Sequence, residues 1–279
     1  MLVANARQLR LIYKSDNKSD KADAEYLARM DPKLLRPIKH RGDKVRFALA
    51  TVRSRHALVR ARTQFVNHVR GTVKSTGARI PSCSTPAFCQ KALKSLPTEL
   101  QPALMPVLET IAQLSEKINE LDRKIEQMCR KTFPETELLQ QIKGVGPVTA
   151  LTFVLVVEDP KRFKKSRTVG AYVGLVPKTY ESGACNPQLR ITKAGDKLLR
   201  QLLVGSAQYI LGRLGPDSDL QRHGAVIATR GGKNAKKRAV VAVARKLAVL
   251  LHRLWITGEV YEPLHNSSLK EPRRTRASA

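Results

Sequence analysis

The stretch TYESGACNPQLRITKAGDKLLRQLL, residues 179–203, combines residue types that could cleave a phosphodiester bond. Ser182 could act as a nucleophile, provided that a base or a positive field helps to remove the proton of its hydroxyl. On these residues alone an ordinary surface-turn serine is the simpler interpretation, and Tyr180 is a rival nucleophile. The cations that follow, which could stabilise a phosphorane transition state or contact nucleic-acid phosphates, are Arg190, Lys193, Lys197 and Arg200.

A pair of carboxylates near the N-terminus is a candidate metal site. Asp20 and Asp23 stand three residues apart at the predicted start of a helix, a spacing that puts both on one face. Paired carboxylates can hold the Mg²⁺ that positions phosphate oxygens. Acidic residues in a first helical turn more commonly cap the helix or interact with its dipole, so the pair by itself is a weak sign of metal binding.

Residues 138–153, LLQQIKGVGPVTALTF, have the pattern of a helix-hairpin-helix. We expect the first helix to end at Lys143, Gly144 and Gly146 to form the turn, and Pro147 to open the second helix. Backbone N–H groups at that helix start could bind a phosphate oxygen whatever the base sequence. The alternative is a purely structural helical turn, but the charge of the chain favours a phosphate contact.

Lys and Arg outnumber Asp and Glu by 51 to 23, which gives a formal net charge of +28. Such a surplus repels itself unless the protein binds a polyanion, and nucleic acid releases counterions when Lys and Arg replace them. A basic protein of the membrane surface would need an amphipathic or lipidated anchor, which we do not find. Two further basic patches, residues 161–167 and 233–238, are interpreted as phosphate contacts and contain Lys161, Arg162, Lys164, Lys165, Lys236 and Lys237.

The sequence predicts a cytoplasmic protein without a membrane span. The apolar run at residues 148–157 is far shorter than the roughly 20 residues that a spanning helix needs. The first ten residues contain no apolar core of a signal peptide. The four cysteines form no CxxC pair and no zinc-like spacing with histidine, as expected for free thiols in a reducing compartment.

The elements that position these residues are mainly helices. Ser19 or Asp20 can cap a helix that begins near Lys21. Heptad patterns predict a long helix from about Asp43 to Thr76 and a second one whose seam runs from Leu104 to Met128. Two such helices separated by a connector suggest an antiparallel coiled coil. The alternative is that both simply pack in a globular core.

The composition changes after residue 132, where glycine, proline and short apolar runs become frequent. We therefore place a domain boundary there. Beyond it, residues 187–212 predict a polar turn followed by a helix, and residues 236–255 predict another helix that is apolar on one side.

Taken together, these stretches resemble insertion-sequence transposases that combine a RuvC-like DEDD nuclease domain with a catalytic serine and are related to pilin-gene DNA invertases. The stretch KSDKADAEYLARM is similar to the end of their nuclease domain, and residues 138–208 are similar to their C-terminal transposase domain. The resemblance implies that Ser182 is the nucleophile of a covalent phosphoserine intermediate and that Asp20 and Asp23 bind Mg²⁺. It further implies double-stranded DNA and a structured guide RNA as partners, and a dimer or tetramer.

The resemblance implies a mainly α protein in four parts. Residues 1–42 would be the remnant of the RuvC-like α/β domain, and residues 43–132 the coiled-coil segment. Residues 133–262 would form the serine transposase domain with its helix-hairpin-helix, and residues 263–279 a disordered tail.

One departure from the family pattern concerns the metal site. The first Asp and the Glu of the DEDD set lie on strands upstream of the segment matched here, so we expect a truncated chain with weak or absent Mg²⁺ affinity. A non-catalytic DNA- or RNA-binding remnant is therefore an alternative function. A structural coiled-coil protein is a third, which the net charge disfavours.

Overall fold

The computed structural model describes residues 19–31, 40–182 and 189–268, and these residues are mainly helical, as predicted. Their β structure is confined to isolated bridges. The chain divides into two compact units between Arg46 and Phe47. The helices are α1 (Asp20–Arg29), α2 (Asp43–Ser75), α3 (Phe88–Ser95), α4 (Gln101–Lys131), α5 (Thr136–Gln140), α6 (Pro147–Val157), α7 (Val169–Tyr172), α8 (Lys197–Leu211), α9 (Asp219–Thr229), α10 (Ala235–Thr257) and α11 (His265–Ser268).

Helix α1 begins as its sequence predicts. The Ser19 hydroxyl accepts a hydrogen bond from the N–H of Ala22 at 3.2 Å, which satisfies one of the donors that a helix start leaves free. The residues before Ser19 lie outside the described residues, and so does the part of the predicted tail, residues 263–279, that follows residue 268. Residues 265–268 of that predicted tail form α11. The RuvC-like assignment of residues 1–42 therefore stays a prediction.

Helices α2 and α4 run antiparallel and contact each other through polar side chains. The Arg55 guanidinium donates to both carboxylate oxygens of Asp122. Seven residues further along α2, Arg62 donates to the hydroxyl of Ser115, which lies seven residues earlier on α4. The pairing follows the heptad repeat that predicted the two helices. Their supercoiling into a coiled coil stays a prediction.

An apolar cluster closes the end of this helix pair. Helix α3, which lies in the predicted connector, packs Phe88 and Ala92 against α2 and α4. Arg70 of α2 donates to the backbone oxygen of Ile80 at 3.2 Å, and its guanidinium lies 5.1 Å from the ring centroid of Phe88. This arginine therefore holds the connector between α2 and α3 against the helix.

Helix α6 is the centre of the C-terminal half of the chain. Its residues Thr149–Val157 are all buried, so the helix has no solvent face. A helix that is apolar all round must be covered on every side, and α4, α5 and α8 pack on it. Phe153 meets Trp255 of α10 edge-on, with ring centroids 6.4 Å apart. Within the described ranges, no helix is long and apolar enough to cross a membrane.

Two backbone segments approach each other closely just before α8. Gly174 has a φ of +75° and Gly195 a φ of +73°. The N–H of Lys193 donates to the carbonyl of Gly174 at 3.1 Å. A Cβ on Gly195 would lie 2.1 Å from the carbonyl oxygen of Tyr172. Glycine is therefore required here by both conformation and space.

Replacing Gly195 by alanine should destabilise the fold strongly. The left-handed φ and the contact with the Tyr172 backbone both disfavour a Cβ, and together should cost about 3 kcal/mol of unfolding free energy. Gly77→Ala is the matched control, because Gly77 also has a positive φ, of +83°, but no atom within 4 Å of its Cβ position. It should cost about 1–2 kcal/mol. Equal losses in urea unfolding of the two variants would contradict the close backbone contact.

Candidate nucleic-acid interface

Ser182 lies on an exposed hairpin whose two arms pair next to the close backbone contact. Pro177 and Ile191 form an antiparallel bridge. The N–H of Lys178 donates to the carbonyl of Arg190 at 2.9 Å. Ser182 is exposed, and so is Tyr180, at 71%. Residues 183–188 lie outside the described residues. The paired arms therefore fix the base of the hairpin, and both candidate nucleophiles are exposed to solvent beyond it.

The base of this hairpin is held by Arg200, which the sequence predicts as a phosphate contact. Its Nη1 donates to the carbonyl oxygens of Val173 at 2.9 Å and of Ala194 at 2.7 Å. The side chain thus joins the two backbone segments that the glycines bring together. Its predicted role towards nucleic acid stays untested, but its position gives it a structural task as well.

Asp196 connects the same base to the long helix α2. One carboxylate oxygen caps α8 by accepting the N–H of Leu199 at 2.9 Å, and the other pairs with Arg53 at 3.2 Å. The Asp196 side chain is 13% exposed and that of Arg53 is 55% exposed. The ion pair is thus partly screened, while the cap is the part of the contact that holds the helix start.

A large groove runs along α10, between α9 and the hairpin arms, and is called the basic groove below. Its volume is 1710 Å³. Leu175, Pro177 and Ile191 bring the hairpin arms to one wall of it. Ser182 is not among its described lining residues. The cations that line it are Arg167, Arg190, Lys193, Arg230, Lys237, Arg238, Arg245, Lys246 and Arg253.

The groove floor comes from the solvent-facing side of α10. The opposite side of this helix is buried and includes Ala244, Leu247 and Leu251. Groove-facing cations alternate with aliphatic residues such as Val241 and Val249 at helical spacing. Three cations named from the sequence, Arg190, Lys193 and Lys237, line the groove. Arg167 and Arg238, at the ends of the two predicted basic patches, line it as well, and the sequence analysis missed the others. Their signal was present as basic residues that recur on one helical face throughout α10.

The carboxylates that line the groove already have partners within the protein. Glu259 pairs with Arg253 at 3.0 Å, and Glu262 pairs with His265 at 3.0 Å. Asp219 accepts hydrogen bonds from the backbone and side-chain nitrogens of Asn266. The remaining cations therefore dominate the electrostatics of the groove.

The pKa of His223, on α9, is sensitive to this positive field. Burial lowers the pKa of its imidazole, and the neighbouring Lys246 and Arg230 charges lower it further. Since His223 lines the groove together with both cations, an anion bound among them would oppose this shift.

The other predicted phosphate contacts lie outside the groove lining. Lys161, Lys164, Lys165 and Lys236 are exposed elsewhere. Lys197 lies near His56, whose pKa is lowered by burial first and then by neighbouring cations. Arg162 stacks its guanidinium 5.0 Å from the ring centroid of Phe163 and 4.8 Å from that of Tyr172. None of these residues lines the basic groove.

A buried histidine holds the segment that carries several of these cations. His252 is fully buried on α10. Its Nε2 lies 2.9 Å from the carbonyl oxygen of Pro160, which can only accept, so Nε2 carries a proton. In the neutral ring, Nδ1 then accepts the hydroxyl proton of Ser166 at 2.9 Å. The basic segment is thereby tied to the helix that forms the groove.

The segment predicted as a helix-hairpin-helix leaves its first helix earlier than expected. Helix α5 ends at Gln140 rather than at Lys143, and Lys143 is exposed. Gly144 has a φ of +97°, whereas Gly146 has an ordinary extended backbone and stands at the N-cap of α6. Pro147 occupies the first turn of that helix, as expected. The phosphate-binding role of Gly144 and Gly146 stays a prediction.

The two predicted metal ligands lie in the first turn of α1. Asp20 is exposed, Asp23 is half-buried, and both fall where acidic residues favour the helix dipole. No group of three or more His, Cys, Asp or Glu residues that could hold a metal occurs within the described part of the chain. Two carboxylates still fit Mg²⁺, which often binds through one or two carboxylates and completes its shell with water and substrate phosphates.

Comparison with known proteins assigns the chain to a family. Residues 136–221 match the family described as "Transposase IS116/IS110/IS902 family". The putative transposase y4pF/y4sB of Sinorhizobium fredii is 32% identical over 264 residues, which cover 92% of this chain and 67% of the relative. The transposase for insertion sequence element IS1111A of Coxiella burnetii is 28% identical, over 89% of this chain and 70% of the relative.

A shorter similarity points in the same direction. The pilin gene-inverting protein of Moraxella lacunata is 29% identical over 147 residues, which cover 51% of this chain and 44% of that protein. The family match spans the helical turn, α6, the serine hairpin and α8. On these grounds the chain belongs to the IS116/IS110/IS902 family of insertion-sequence transposases.

Proposed function

We propose that this transposase binds double-stranded DNA along the basic groove and cleaves and rejoins strands with Ser182 as the nucleophile. The observation that carries the proposal is the joint position of the groove and the hairpin. Arg190 and Lys193, on the second hairpin arm, line the groove, and Ser182 is exposed on the same hairpin. A strand held in the groove therefore lies beside the element that presents the serine.

In the proposed reaction, the Ser182 oxygen attacks the phosphorus of a backbone phosphodiester. A phosphoserine ester bond forms while the bond from phosphorus to one sugar oxygen breaks. The serine hydroxyl loses its proton and the leaving sugar oxygen gains one. Attack by a sugar hydroxyl of another strand on the phosphoserine reverses these bond changes, releases the serine and rejoins the DNA. Cations of the hairpin arm, such as Arg190, would stabilise the charge on the transferred phosphate.

Mg²⁺ belongs to the proposal as a cofactor held by Asp20 and Asp23. When bound, it would neutralise charge on phosphate oxygens and help to orient them. The two carboxylates would act as ligands of the ion, because both lie in the first turn of α1 and on one face of that helix. A structured guide RNA and assembly as a homo-oligomer complete the proposal, because the family resemblance implies both.

The serine assignment is tested with a suicide DNA substrate that traps a covalent intermediate. The chain is assayed with Mg²⁺ and guide RNA. We expect a protein–DNA adduct that survives Tyr180→Phe and disappears with Ser182→Ala, because only the serine would form the ester. Denaturing electrophoresis measures the adduct.

Two results would decide against this assignment. An adduct that persists with Ser182→Ala would make Ser182 an ordinary turn residue. Tight DNA binding without an adduct would favour the non-catalytic DNA- or RNA-binding alternative.

The groove assignment is tested by the protonation of His223. The pKa of this imidazole is lowered in the free protein by burial and by Lys246 and Arg230. Phosphates bound among these cations should raise that pKa, so the complex takes up protons when it forms. The affinity for DNA should therefore increase as the pH falls through the range in which His223 titrates. NMR titration with and without a short duplex measures the shift. His56, whose pKa is lowered away from the groove, is the internal control, and an equal response of both would contradict specific binding in the groove.

A further inference from the structure

A small hollow, separate from the basic groove, lies between the turn before α6 and the outer face of α8. It is called the turn hollow below. Its volume is 530 Å³, and it shares no described lining residue with the groove. Lys143 and Gly146 line it from the turn, Thr149 from the first turn of α6, and Gly205 and Ser206 from α8.

Two residues of this hollow are buried, but their hydroxyls make no hydrogen bond within the described part of the protein. The buried polar side chains among the described residues are Thr136, Thr149, Thr152, Ser206, Ser218 and His252. Four of them make hydrogen bonds within the chain. Thr149 and Ser206, at 7% and 5% exposure, make none within the described part of the protein. Polar groups on buried residues are normally paired, so these two hydroxyls are available to a ligand that enters the hollow.

Both hydroxyls keep their small accessible area at the hollow. Among the described residues, no side-chain oxygen or nitrogen that is fully shielded from solvent lacks a partner. The unpaired oxygens of Thr149 and Ser206 must therefore be reachable from outside, and both residues line the turn hollow. A molecule in the hollow could accept hydrogen bonds from two sides, one from α6 and one from α8.

The start of α6 adds donors to the same place. Gly146 is its N-cap and provides no side chain to accept the free N–H groups of the first turn. Pro147 has no N–H, so the donors of this turn are those of Val148 and Thr149. A helix start of this kind attracts anions through its N–H groups and its dipole. Lys143, exposed on the rim, adds a full positive charge.

Gly205 leaves space in the hollow that the fold itself does not need. It lies within α8, where glycine weakens a helix, and no atom lies within 4 Å of its Cβ position. Gly144 is different, because its positive φ and the Tyr209 ring, 2.8 Å from its Cβ position, both require glycine. Close approach of a ligand would explain a glycine at position 205.

We propose that the turn hollow binds one backbone phosphate of duplex DNA. The hydroxyls of Thr149 and Ser206 and the N–H groups at the start of α6 donate to its oxygens, Lys143 neutralises its charge, and Gly205 leaves room for the adjoining sugar. The inference rests on the proposed DNA-binding function and adds a second contact point outside the basic groove.

The decisive variants are Thr149→Val and Ser206→Ala, which remove the hydroxyls with little change of shape. Each should weaken binding of a short duplex about three- to tenfold, since a hydrogen bond to a charged acceptor is lost. Thermal stability should stay equal or rise, because neither hydroxyl makes a hydrogen bond within the described part of the protein that its removal could break. Fluorescence anisotropy across a salt series, together with thermal melts, measures both effects.

The salt dependence separates the hydroxyls from the charge. Neutral hydroxyls release no counterions, so their removal should leave the slope of log affinity against log salt unchanged. Lys143→Met should reduce that slope by about 0.9. Gly205→Ala should raise the melting temperature and weaken binding, because its methyl group strengthens the helix but occupies the hollow.

A matched control and a covalent assay complete the test. Thr152→Val changes a buried threonine of the same helix whose hydroxyl donates to the Val148 carbonyl, and it should leave DNA affinity unchanged. At saturating DNA, Thr149→Val should still form the Ser182 adduct, so a failure of this inference is distinct from a failure of the serine mechanism. Unchanged duplex affinity in the two hydroxyl variants, a loss of thermal stability in both, or weaker binding of RNA but not of DNA would overturn the proposal.

Discussion

An apolar helix without a polar face determines the arrangement of the C-terminal half of this transposase. Every residue from Thr149 to Val157 is buried, so α4, α5 and α8 must cover it, and Trp255 of α10 closes against Phe153. The hydrophobic effect drives this enclosure because it is proportional to the apolar area removed from water. Where the enclosure ends, at Gly146, the chain exposes the start of the helix, and the turn hollow opens there. The same helix therefore forms the centre of the core and, at its N-terminus, part of the lining of that candidate ligand site.

Helix α10 connects the core to the basic groove, because its two faces belong to one and to the other. Its apolar face is held inside the fold, which leaves Arg245, Lys246 and the other cations of the opposite face in the groove. His252, on the buried side, ties the basic segment that follows α6 to the same helix. Since one helix contributes to the core and to the groove, the relative positions of the five groove cations on α10, from Lys237 to Arg253, are set by the helix itself. A polyanion then meets a charge pattern that is already ordered, which reduces the entropy lost on binding.

The surplus of positive charge is divided between internal and external tasks. Arg55, Arg70 and Arg200 donate to a carboxylate or to backbone oxygens within the chain, and Arg53 pairs with Asp196. Guanidinium groups suit such positions because they offer several donors in a fixed plane. The net charge of +28 therefore overstates the number of cations that face a ligand. The hairpin that carries Ser182 depends on one of these internal arginines as much as on the glycines at its base.

The sequence by itself determined the features that depend on neighbouring residues. Heptad spacing predicted α2 and α4, the Ser19 cap was recognisable because capping acts over three residues, and Pro147 opened α6 as its fixed φ requires. The stretch around Ser182 and residues 138–208 indicated the family, which the comparisons confirm. Only the tertiary structure decided which cations share a groove, that Arg200 turns inward to Val173 and Ala194, and that Thr149 and Ser206 meet in one hollow. Helical periodicity shows that a face exists, but what lies opposite that face depends on packing between segments far apart in the chain.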